Sequence, residues 1–196
     1  MTTAAIVLAA GGSRRLGRPK QLVAVSGRPL LDRVVASVRS WPVDDVVVVL
    51  GAHRDEITAA CDLGGARVVD NPRWSEGLAT SIAAGLAACD ADRAFLALGD
   101  QPAVDPSIPA TLVDRTGPAV VPVYRGVRAN PVLVDRVLWP AFSALDGDRG
   151  GADLLRRHPE WVTEVAFDRE PPLDVDTEDD VQRLRRSSSS RSASSE

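Results

Sequence analysis

Cysteine and long apolar runs are both scarce in this chain, and each scarcity excludes a class of protein. Cys61 and Cys89 are the only cysteines among 196 residues, too few for a disulfide framework or a cysteine-rich metal site. The longest apolar stretches, such as "VVVVL", are too short to span a bilayer. The N-terminus also lacks the basic region of a signal peptide, so we expect a cytoplasmic protein.

An excess of positive charge is lacking as well. The formal net charge is −4 at pH 7, which disfavours sequence-independent binding to nucleic acid or to an anionic membrane, and neither is an expected partner. Among the cationic residues, 22 are arginine and Lys20 is the only lysine. A lysine ammonium is a compact point charge that a planar guanidinium does not replace at a crowded phosphate. Lys20 is therefore the first candidate for a functional residue.

Short, β-branched apolar runs alternate along the chain with stretches of helical spacing. The expected strands are "AAIVLAA", "VVVVL", "ARVVD", "AFLALG", "AVVPV" and "VTEVAF". This alternation is typical of an α/β three-layer sandwich, in which helices cover both faces of a mostly parallel, Rossmann-like sheet. Ligands bind such sheets beyond the carboxyl ends of the strands. We expect a single domain over residues 1–185.

Two segments depart from this alternation. Residues 120–167 include "VYRGVRANPVLV" and "LDGDRGGADLL", and we expect a hairpin or antiparallel excursion there that serves as a lid or acceptor-binding subregion. Residues 186–196 form a low-complexity Ser/Arg segment that cannot bury a core. We predict that this segment is a disordered tail.

The loop after the first expected strand concentrates glycine and positive charge in the stretch "LAAGGSRRLGRPKQL", residues 8–22. It lacks the G-x-G-x-x-G dinucleotide motif, and Arg18 and Pro19 stand where a P-loop needs Gly-Lys. Backbone N–H groups and cations together suit a polyphosphate. The loop supplies the Ser13 hydroxyl and the cationic side chains of Arg14, Arg15, Arg18 and Lys20. A solvated basic surface loop is the alternative interpretation.

Acidic residues occur where a parallel sheet would place its ligand site. Asp100 directly follows "FLALG", and Mg²⁺ typically takes one or two carboxylates together with substrate phosphates and waters. A simple Asp-Gln-Pro turn is the alternative. A second carboxylate is expected from "LDVDTEDDV", in which Asp174 and Asp176 point the same way if the segment is extended. The same acids are also typical of a helix N-terminus.

The loop "LAAGGSRRLGRPKQL" resembles the signature of the MobA-like nucleotidyltransferases, L-A-A-G-x-S-x-R-M-G-x-x-K-x-L. The likeness continues through "NPRWSEGLATSIAAGL", "LALGDQP", "RGVRANPVLV", "GDRGGADLL" and "LDVDTEDDV". Within this family, the sequence is most similar to the molybdenum cofactor cytidylyltransferases. The resemblance implies the nucleotide-diphospho-sugar transferase type of α/β fold and the transfer of NMP from an NTP to an acceptor phosphate.

The resemblance also implies which residues act. Catalysis would rest on Lys20, Arg15 and Asp100, with Asp100 and Asp176 holding Mg²⁺. The implied nucleotide-binding residues are Leu8, Ala9, Ala10, Gly11, Gly12, Ser13, Arg15, Lys20, Glu76, Gly77, Ser81 and Asp100. For Ser81, a buried position at a helix start is an equally good interpretation. In this superfamily Ala-Ala-Gly at the loop start goes with CTP and Ala-Gly-Gly with GTP, so Ala9-Ala10-Gly11 implies CTP.

Three functional hypotheses follow. The first is transfer of CMP from CTP to molybdopterin with release of pyrophosphate, with a molybdenum hydroxylase as a candidate recipient of the product. The second is the same chemistry with a sugar, polyol or lactate phosphate as acceptor, or with GTP as donor. The third is a nucleotide or cofactor carrier without turnover. Ala129-Asn130-Pro131 stands where the cytidylyltransferases tend to have Gly-His-Pro, which affects the acceptor more than the nucleotide.

Overall fold

The computed structural model describes residues 1–148 and 150–192, and describes side chains as far as residue 186. The strands are β1 (Thr3–Leu8), β2 (Ala24–Val25), β3 (Arg28–Pro29), β4 (Asp45–Leu50), β5 (Arg67–Asp70), β6 (Arg93–Leu98), β7 (Ala119–Tyr124), β8 (Val127–Arg128), β9 (Val132–Asp135) and β10 (Val162–Phe167). The helices are α1 (Leu30–Val38), α2 (Arg54–Ala60), α3 (Leu78–Ala88), α4 (Ser107–Val113), α5 (Trp139–Ser143), α6 (Gly151–Arg157) and α7 (Glu178–Ser192).

The central sheet has the strand order β10-β7-β9-β6-β1-β4-β5, with β8 paired to β7. Strand β1 is parallel to both β4 and β6, and β5 is parallel to β4. Strand β9 runs antiparallel to β6 and β7, and β7 and β8 form an antiparallel hairpin. The expected mostly parallel sheet, and the expected antiparallel excursion after residue 120, are both confirmed.

Helices cover the sheet on both faces, because successive strand residues point to opposite sides. In β1, Ala5 and Val7 pack with helices α1, α2 and α4, whereas Ala4, Ile6 and Leu8 pack with α3, α5 and α6. The β-branched runs that predicted strands are therefore buried on both faces, as in other helix-covered parallel sheets. The expected three-layer sandwich is confirmed.

A third, smaller cluster attaches the C-terminal segment to the body of the domain. It consists of Val23, Val25, Leu30, Val175, Val181 and Leu184, so the first turns of α7 pack on the β2–β3 hairpin. The helix starts with a capping box: the Asp180 carboxylate accepts from the Thr177 N–H at 2.9 Å, and the Asp180 N–H donates to the Thr177 hydroxyl at 3.3 Å. This arrangement fixes the position of Asp176 at the carboxyl edge of the sheet.

Helix α7 runs through Ser192, so the expected domain boundary at residue 185 falls inside a helix. The physical reason is that Val181 and Leu184 anchor its first turns, and arginine and serine are compatible with continuing a helix already begun. Residues 193–196 lie outside the described residues, and the disorder expected for the tail stays a prediction. Within the described chain, no helix is both long and apolar enough to cross a membrane.

Candidate active site

The loop between β1 and the 3-10 turn at Lys20–Leu22 is closed on itself by hydrogen bonds. The Lys20 N–H donates to the Ser13 hydroxyl at 3.0 Å, and Leu16 and Gly17 donate their N–H groups to the Ser13 carbonyl, each at 3.1 Å. The side chain of Gln21 is buried and donates to the carbonyls of Ala9 at 2.7 Å and Gly11 at 3.1 Å. These contacts fix the direction in which the Lys20 side chain leaves the loop.

Asp100 stands at the tip of β6, beside the tip of β1. The preceding residue must be small, since a Cβ at Gly99 would lie 2.7 Å from the Cβ of Ala9. The Val175 N–H donates to the Asp100 carbonyl at 3.1 Å, which brings Asp174 and Asp176 to the same edge of the sheet. Strands β1 and β6 and the segment before α7 thus meet where a parallel sheet presents its ligands.

Lys20 joins the two acids that the sequence singles out. Its Nζ donates to Asp100 Oδ2 at 2.5 Å and to Asp176 Oδ1 at 3.0 Å. Burial alone would lower the pKa of Lys20, but the charges and hydrogen bonds of Asp100 and Asp176 outweigh it and raise that pKa above its ordinary value. Lys20 is therefore an ammonium at neutral pH. Arg15 completes the network with a hydrogen bond to Asp176 Oδ2 at 2.6 Å.

Asp174 faces the same edge but is held differently. Its Oδ1 accepts from Gln101 Nε2 at 2.8 Å. Burial raises the pKa of Asp174, the hydrogen bond from Gln101 opposes that rise, and the neighbouring charges of Asp100 and Asp176 add to it. Asp174 therefore carries its negative charge less readily than an exposed aspartate, and it is a weaker candidate than Asp176 for binding a cation.

A cavity of about 560 Å³ opens over this network. Of the residues expected at the site from the sequence, the structure brings the following to its wall: Leu8, Ala9, Ala10, Gly11, Gly12, Ser13, Arg15, Lys20, Gly77, Ser81, Asp100 and Asp176. Arg14 also lines it, whereas Arg18 does not and pairs with Glu178 at 2.7 Å. The hydroxyl of Ser81 is buried and accepts from Asn71 Nδ2 at 2.9 Å, so Ser81 has a structural contact as well.

Glu76 lies apart from the other residues expected at the site. It lies in the 3-10 turn Trp74–Glu76, which directs its side chain to solvent, and its carboxylate accepts from Arg73 at 3.0 and 2.7 Å. The pKa of Glu76 is lowered by this hydrogen bonding with Arg73. Glu76 does not line the cavity, and its expected role in nucleotide binding stays a prediction.

Sequence reasoning missed several wall residues. Trp74 packs closely on Gly51 and Gly12. A Cβ added at Gly51 would lie 2.5 Å from the Trp74 Cβ, and a Cβ added at Gly12 would lie 3.0 Å from the Trp74 ring. Two long-range glycine contacts give no local signal, although a tryptophan within the family-like segment "NPRWSEGL" could have drawn attention. Gln21 was missed too, despite its place directly after Lys20. The other unpredicted wall residues are Ser75, Leu78, Leu98, Gly99 and Asp148.

The wall around Gly77 depends on a close backbone approach. Gly77 has φ +117°, and a Cβ there would overlap the carbonyl group of Gly147. The Gly147 carbonyl accepts from the Ala79 N–H at 3.1 Å. The loop before α6 therefore sits directly on the start of α3 and carries Asp148 to the cavity wall.

A second cavity, of about 390 Å³, adjoins the first and shares Leu8, Leu78 and Leu98 with it. The rest of its lining is mostly apolar, with polar side chains only at a few positions. The lining residues beyond the shared three are Ile82, Leu96, Val121, Arg128, Ala129, Asn130, Val132, Phe142, Gly150, Gly151, Ala152, Leu155 and Arg156. Several residues of the expected acceptor side, such as Arg128, Asn130 and Ala152, thus line a cavity that adjoins the one with Lys20 and Asp100.

Metal binding at the first cavity would use few protein ligands. Among the described residues, no group of three or more His, Cys, Asp or Glu side chains is arranged to hold a metal ion. Two carboxylates, those of Asp100 and Asp176, converge on one point, which Lys20 occupies. Asp100 Oδ1 is buried, and within the described part of the chain it has no hydrogen-bond partner. That donor set fits a cation that completes its shell with substrate oxygens and water.

A helix-covered, mostly parallel sheet and a glycine-rich loop after β1 occur here together with two neighbouring acids, one at the tip of β6 and one in the segment before α7. These are the features of a nucleotidyltransferase-type α/β protein. Residues 5–162 match the MobA-like NTP transferase domain, and the chain belongs to this family. It is 33% identical over 193 residues to the nicotine blue oxidoreductase of Paenarthrobacter nicotinovorans, with 91% of this chain and 94% of that protein covered.

Two further similarities bear on chemistry. The molybdenum cofactor cytidylyltransferase of Escherichia coli K12 is 24% identical over 177 residues, covering 89% of this chain and 91% of that protein. Rv0371c of Mycobacterium tuberculosis H37Rv, solved in complex with manganese, superposes with a TM-score of 0.82 at 30% identity, covering 95% of this chain and 98% of that chain.

Proposed function

We propose that the chain transfers CMP from CTP to the phosphate of an acceptor, most favourably molybdopterin, and releases pyrophosphate. The observation that carries this proposal is the position of Lys20. Its ammonium reaches Asp100 at 2.5 Å and Asp176 at 3.0 Å, inside a cavity that begins at a glycine-rich loop. Membership of the MobA-like NTP transferase family supports the reaction class.

The chain's own residues supply charge and position. Lys20 and Arg15 neutralise the triphosphate and the departing pyrophosphate, because charge on the α-phosphate and leaving group forms the main barrier. A phosphate monoester has its second pKa near ~6 and is already a nucleophilic anion at neutral pH. No general base is then needed, which agrees with a cavity wall that contains no histidine among its lining residues.

Asp100 and Asp176 would hold a Mg²⁺ ion. When bound, such an ion would supply positive charge that stabilises the triphosphate and the departing pyrophosphate. The buried, unpartnered Oδ1 of Asp100 supports this assignment, and a similar protein has been solved with manganese.

The donor side favours a pyrimidine nucleotide. Leu8, Ala9 and Ala10 are all at least nine-tenths buried and offer a small, flat wall on which a base can lie. Gly77 and Ser81 face it from the start of α3, and Trp74 adds an aromatic surface. Together with Ala9-Ala10-Gly11 at the loop start, this supports CTP over GTP as the donor.

The acceptor side favours a ring system over a sugar. The second cavity presents Ile82, Leu96, Val121, Phe142 and Leu155, which have no groups to bind the hydroxyls of a sugar or polyol. A site that binds hydroxyls needs polar partners for them, since an unpaired buried hydroxyl is costly. A planar heterocycle such as a pterin can lie with its faces on this apolar lining, while Arg128, Asn130 and Arg156 are the groups available to its polar edge. We propose further that the reaction takes place in the cytoplasm and that a molybdenum hydroxylase receives the product.

A second candidate function is redox chemistry on a ring substrate. The observation that favours it is the 33% identity to a nicotine blue oxidoreductase over nearly the whole chain, together with the apolar second cavity. Against it stands the charged network at the first cavity, because hydride or electron transfer to a dye does not need a lysine and two acids at a triphosphate-sized site.

One assay separates these possibilities. The protein is incubated with Mg²⁺, each of the four NTPs in turn and a panel of acceptors: molybdopterin, a sugar phosphate, a polyol phosphate and a lactate phosphate. Pyrophosphate release is then measured. We expect release with CTP only when molybdopterin is present.

Each other outcome rejects part of the proposal. Release with another acceptor or with GTP would support the second hypothesis in place of the first. CTP binding without product would indicate a carrier. A parallel sample with nicotine blue and no NTP, followed by visible absorbance, would reveal redox turnover.

A further inference from the structure

The four charges proposed to act on the substrates neutralise each other in this structure. Lys20 spans Asp100 and Asp176, and Arg15 takes the second oxygen of Asp176. The side chains of Lys20, Asp100 and Asp176 are only 18%, 15% and 28% exposed, so water screens them weakly. The carboxylates proposed to bind the metal therefore pair with the cations proposed to bind the triphosphate.

The point between the two acids has room for one cation. An ammonium sits at hydrogen-bond distance from both carboxylates, and Mg²⁺ or Mn²⁺ would need the same two carboxylates as ligands. Displacing the ammonium without offering it another anion would leave a buried, unpaired positive charge, which is costly. A triphosphate is an anion that can receive Lys20 and Arg15 at the moment they leave the acids.

We propose that Lys20 occupies the metal position in the free protein and couples the binding of the divalent cation to the binding of the nucleotide. This inference rests on the proposed function. The carboxylates of Asp100 and Asp176 exchange the ammonium for a divalent cation, while Lys20 and Arg15 exchange the carboxylates for phosphate oxygens. Each ligand therefore binds weakly alone and tightly with the other, and by linkage both affinities change by the same factor.

A charge-removing variant tests this role. In Lys20→Met the aliphatic stem remains and the ammonium is lost, so Asp100 and Asp176 face each other without their counter-ion. The free variant should then bind a divalent cation more tightly than the wild type, although it binds nucleotide less well. A merely structural role for Lys20 predicts the reverse, since a disordered site would hold the metal less tightly.

The measurement is the free Mn²⁺ concentration, read from the electron paramagnetic resonance signal of aqueous Mn²⁺ during titration of the full chain. Titrations are run with and without α,β-methylene CTP, which cannot be cleaved at the α-phosphate, and are corrected for Mn²⁺ held by the analogue alone. In the wild type we expect the analogue to tighten Mn²⁺ binding at least ~10-fold, within the usual range of couplings. In Lys20→Met we expect at least ~5-fold tighter Mn²⁺ binding without analogue. The coupling should be clearly smaller than in the wild type but not lost, because substrate oxygens still complete the shell of the ion.

Arg18→Met is the matched control, because it removes one positive charge from the same loop. Arg18 lies outside the cavity and pairs with Glu178, so Mn²⁺ binding should stay within twofold of the wild type. Equal tightening in Arg18→Met and Lys20→Met would reduce the effect to general electrostatics and overturn the proposal. So would Lys20→Met binding Mn²⁺ no more tightly than the wild type.

Two safeguards keep the test decisive. Lys20→Gln, which can still hydrogen-bond both acids, replaces Lys20→Met if the latter does not fold, and it should show the same tightening. The wild-type titrations are a test by themselves: if the analogue leaves the Mn²⁺ affinity of the wild type unchanged, the coupling is refuted. The result is separable from the proposed function: CTP turnover with no coupling rejects only this inference, whereas coupling without turnover rejects only the catalytic proposal.

Discussion

The two adjoining cavities share three leucines but are built on different principles. The first is lined largely by one contiguous loop, residues 8–15 with Lys20 and Gln21, and by the acids Asp100, Asp174 and Asp176 at the carboxyl edge of the sheet. The second is lined mostly by single apolar side chains contributed by several strands and helices. Backbone and charge thus define the proposed donor side, whereas shape defines the proposed acceptor side. Changes in the two cavities should therefore have different kinetic consequences.

The largest effect on turnover is expected at the charged network of the first cavity, which has no counterpart in the mostly apolar second cavity. Lys20→Ala and Asp100→Ala should each lower turnover by ~10² or more, because each removes a preorganised electrostatic partner of the triphosphate. Circular dichroism should show an intact fold. Near-normal turnover in Lys20→Ala, measured by pyrophosphate release with CTP and acceptor, would remove the basis of the catalytic assignment.

The loop before α6, which brings Asp148 to the first cavity and Gly150 to the second, offers the next test. Gly77→Ala should displace the loop at Gly147, since a Cβ there overlaps the Gly147 carbonyl. We expect KM to rise by ~10-fold for both substrates and the free energy of unfolding to fall by about 1–3 kcal/mol.

Gly65→Ala is the control for Gly77→Ala. Gly65 also has a positive φ, +76°, but a Cβ there meets nothing within 4 Å. In the control the only penalty is backbone strain, so its free energy of unfolding should fall by about 1 kcal/mol and both KM values should stay unchanged. Equal kinetics in the two variants would show that the contact with Gly147 does not shape the site.

A change confined to the second cavity should separate the two substrates. Ala152 lies on α6 and lines only that cavity, so Ala152→Phe should narrow it. We expect KM for the acceptor to rise by ~5-fold or more, a loss of about 1 kcal/mol of binding, while KM for CTP stays within twofold. A matching rise in KM for CTP would contradict the division of the site into donor and acceptor sides.

The smallest effect is expected at Glu76. Its carboxylate is exposed and paired with Arg73, and water screens an exposed pair of this kind, so it contributes little. Glu76→Gln should change KM for CTP by less than about threefold. A tenfold rise would return Glu76 to the nucleotide site.

The predictable parts of this protein are those coded by contiguous residues. The strands followed from β-branched runs such as "VVVVL", because burial on both faces demands continuous apolarity. Likewise, the loop at residues 8–22 carries its glycines and cations in one stretch, and most of the expected donor-side residues line one cavity. Asp100 followed from its place at a strand end.

The parts that escaped prediction depend on distant contacts or on local turns. Glu76 lies outside the cavity because a 3-10 turn, too short to show a periodic pattern in the sequence, points its side chain outward. Trp74 was missed because it packs on glycines far away in the sequence. The second cavity could not be assembled from the sequence, since its walls come from separate elements whose packing is decided by the whole fold.

The most direct test of the central claim is a crystal structure of the chain with CTP and Mg²⁺. The account predicts that Lys20 Nζ leaves the acids and lies about 2.8 Å from a phosphate oxygen, with Asp100 and Asp176 each about 2.1 Å from the ion. A structure in which CTP binds elsewhere, or in which Lys20 remains on Asp100 while the triphosphate lies beyond its reach, would contradict the account.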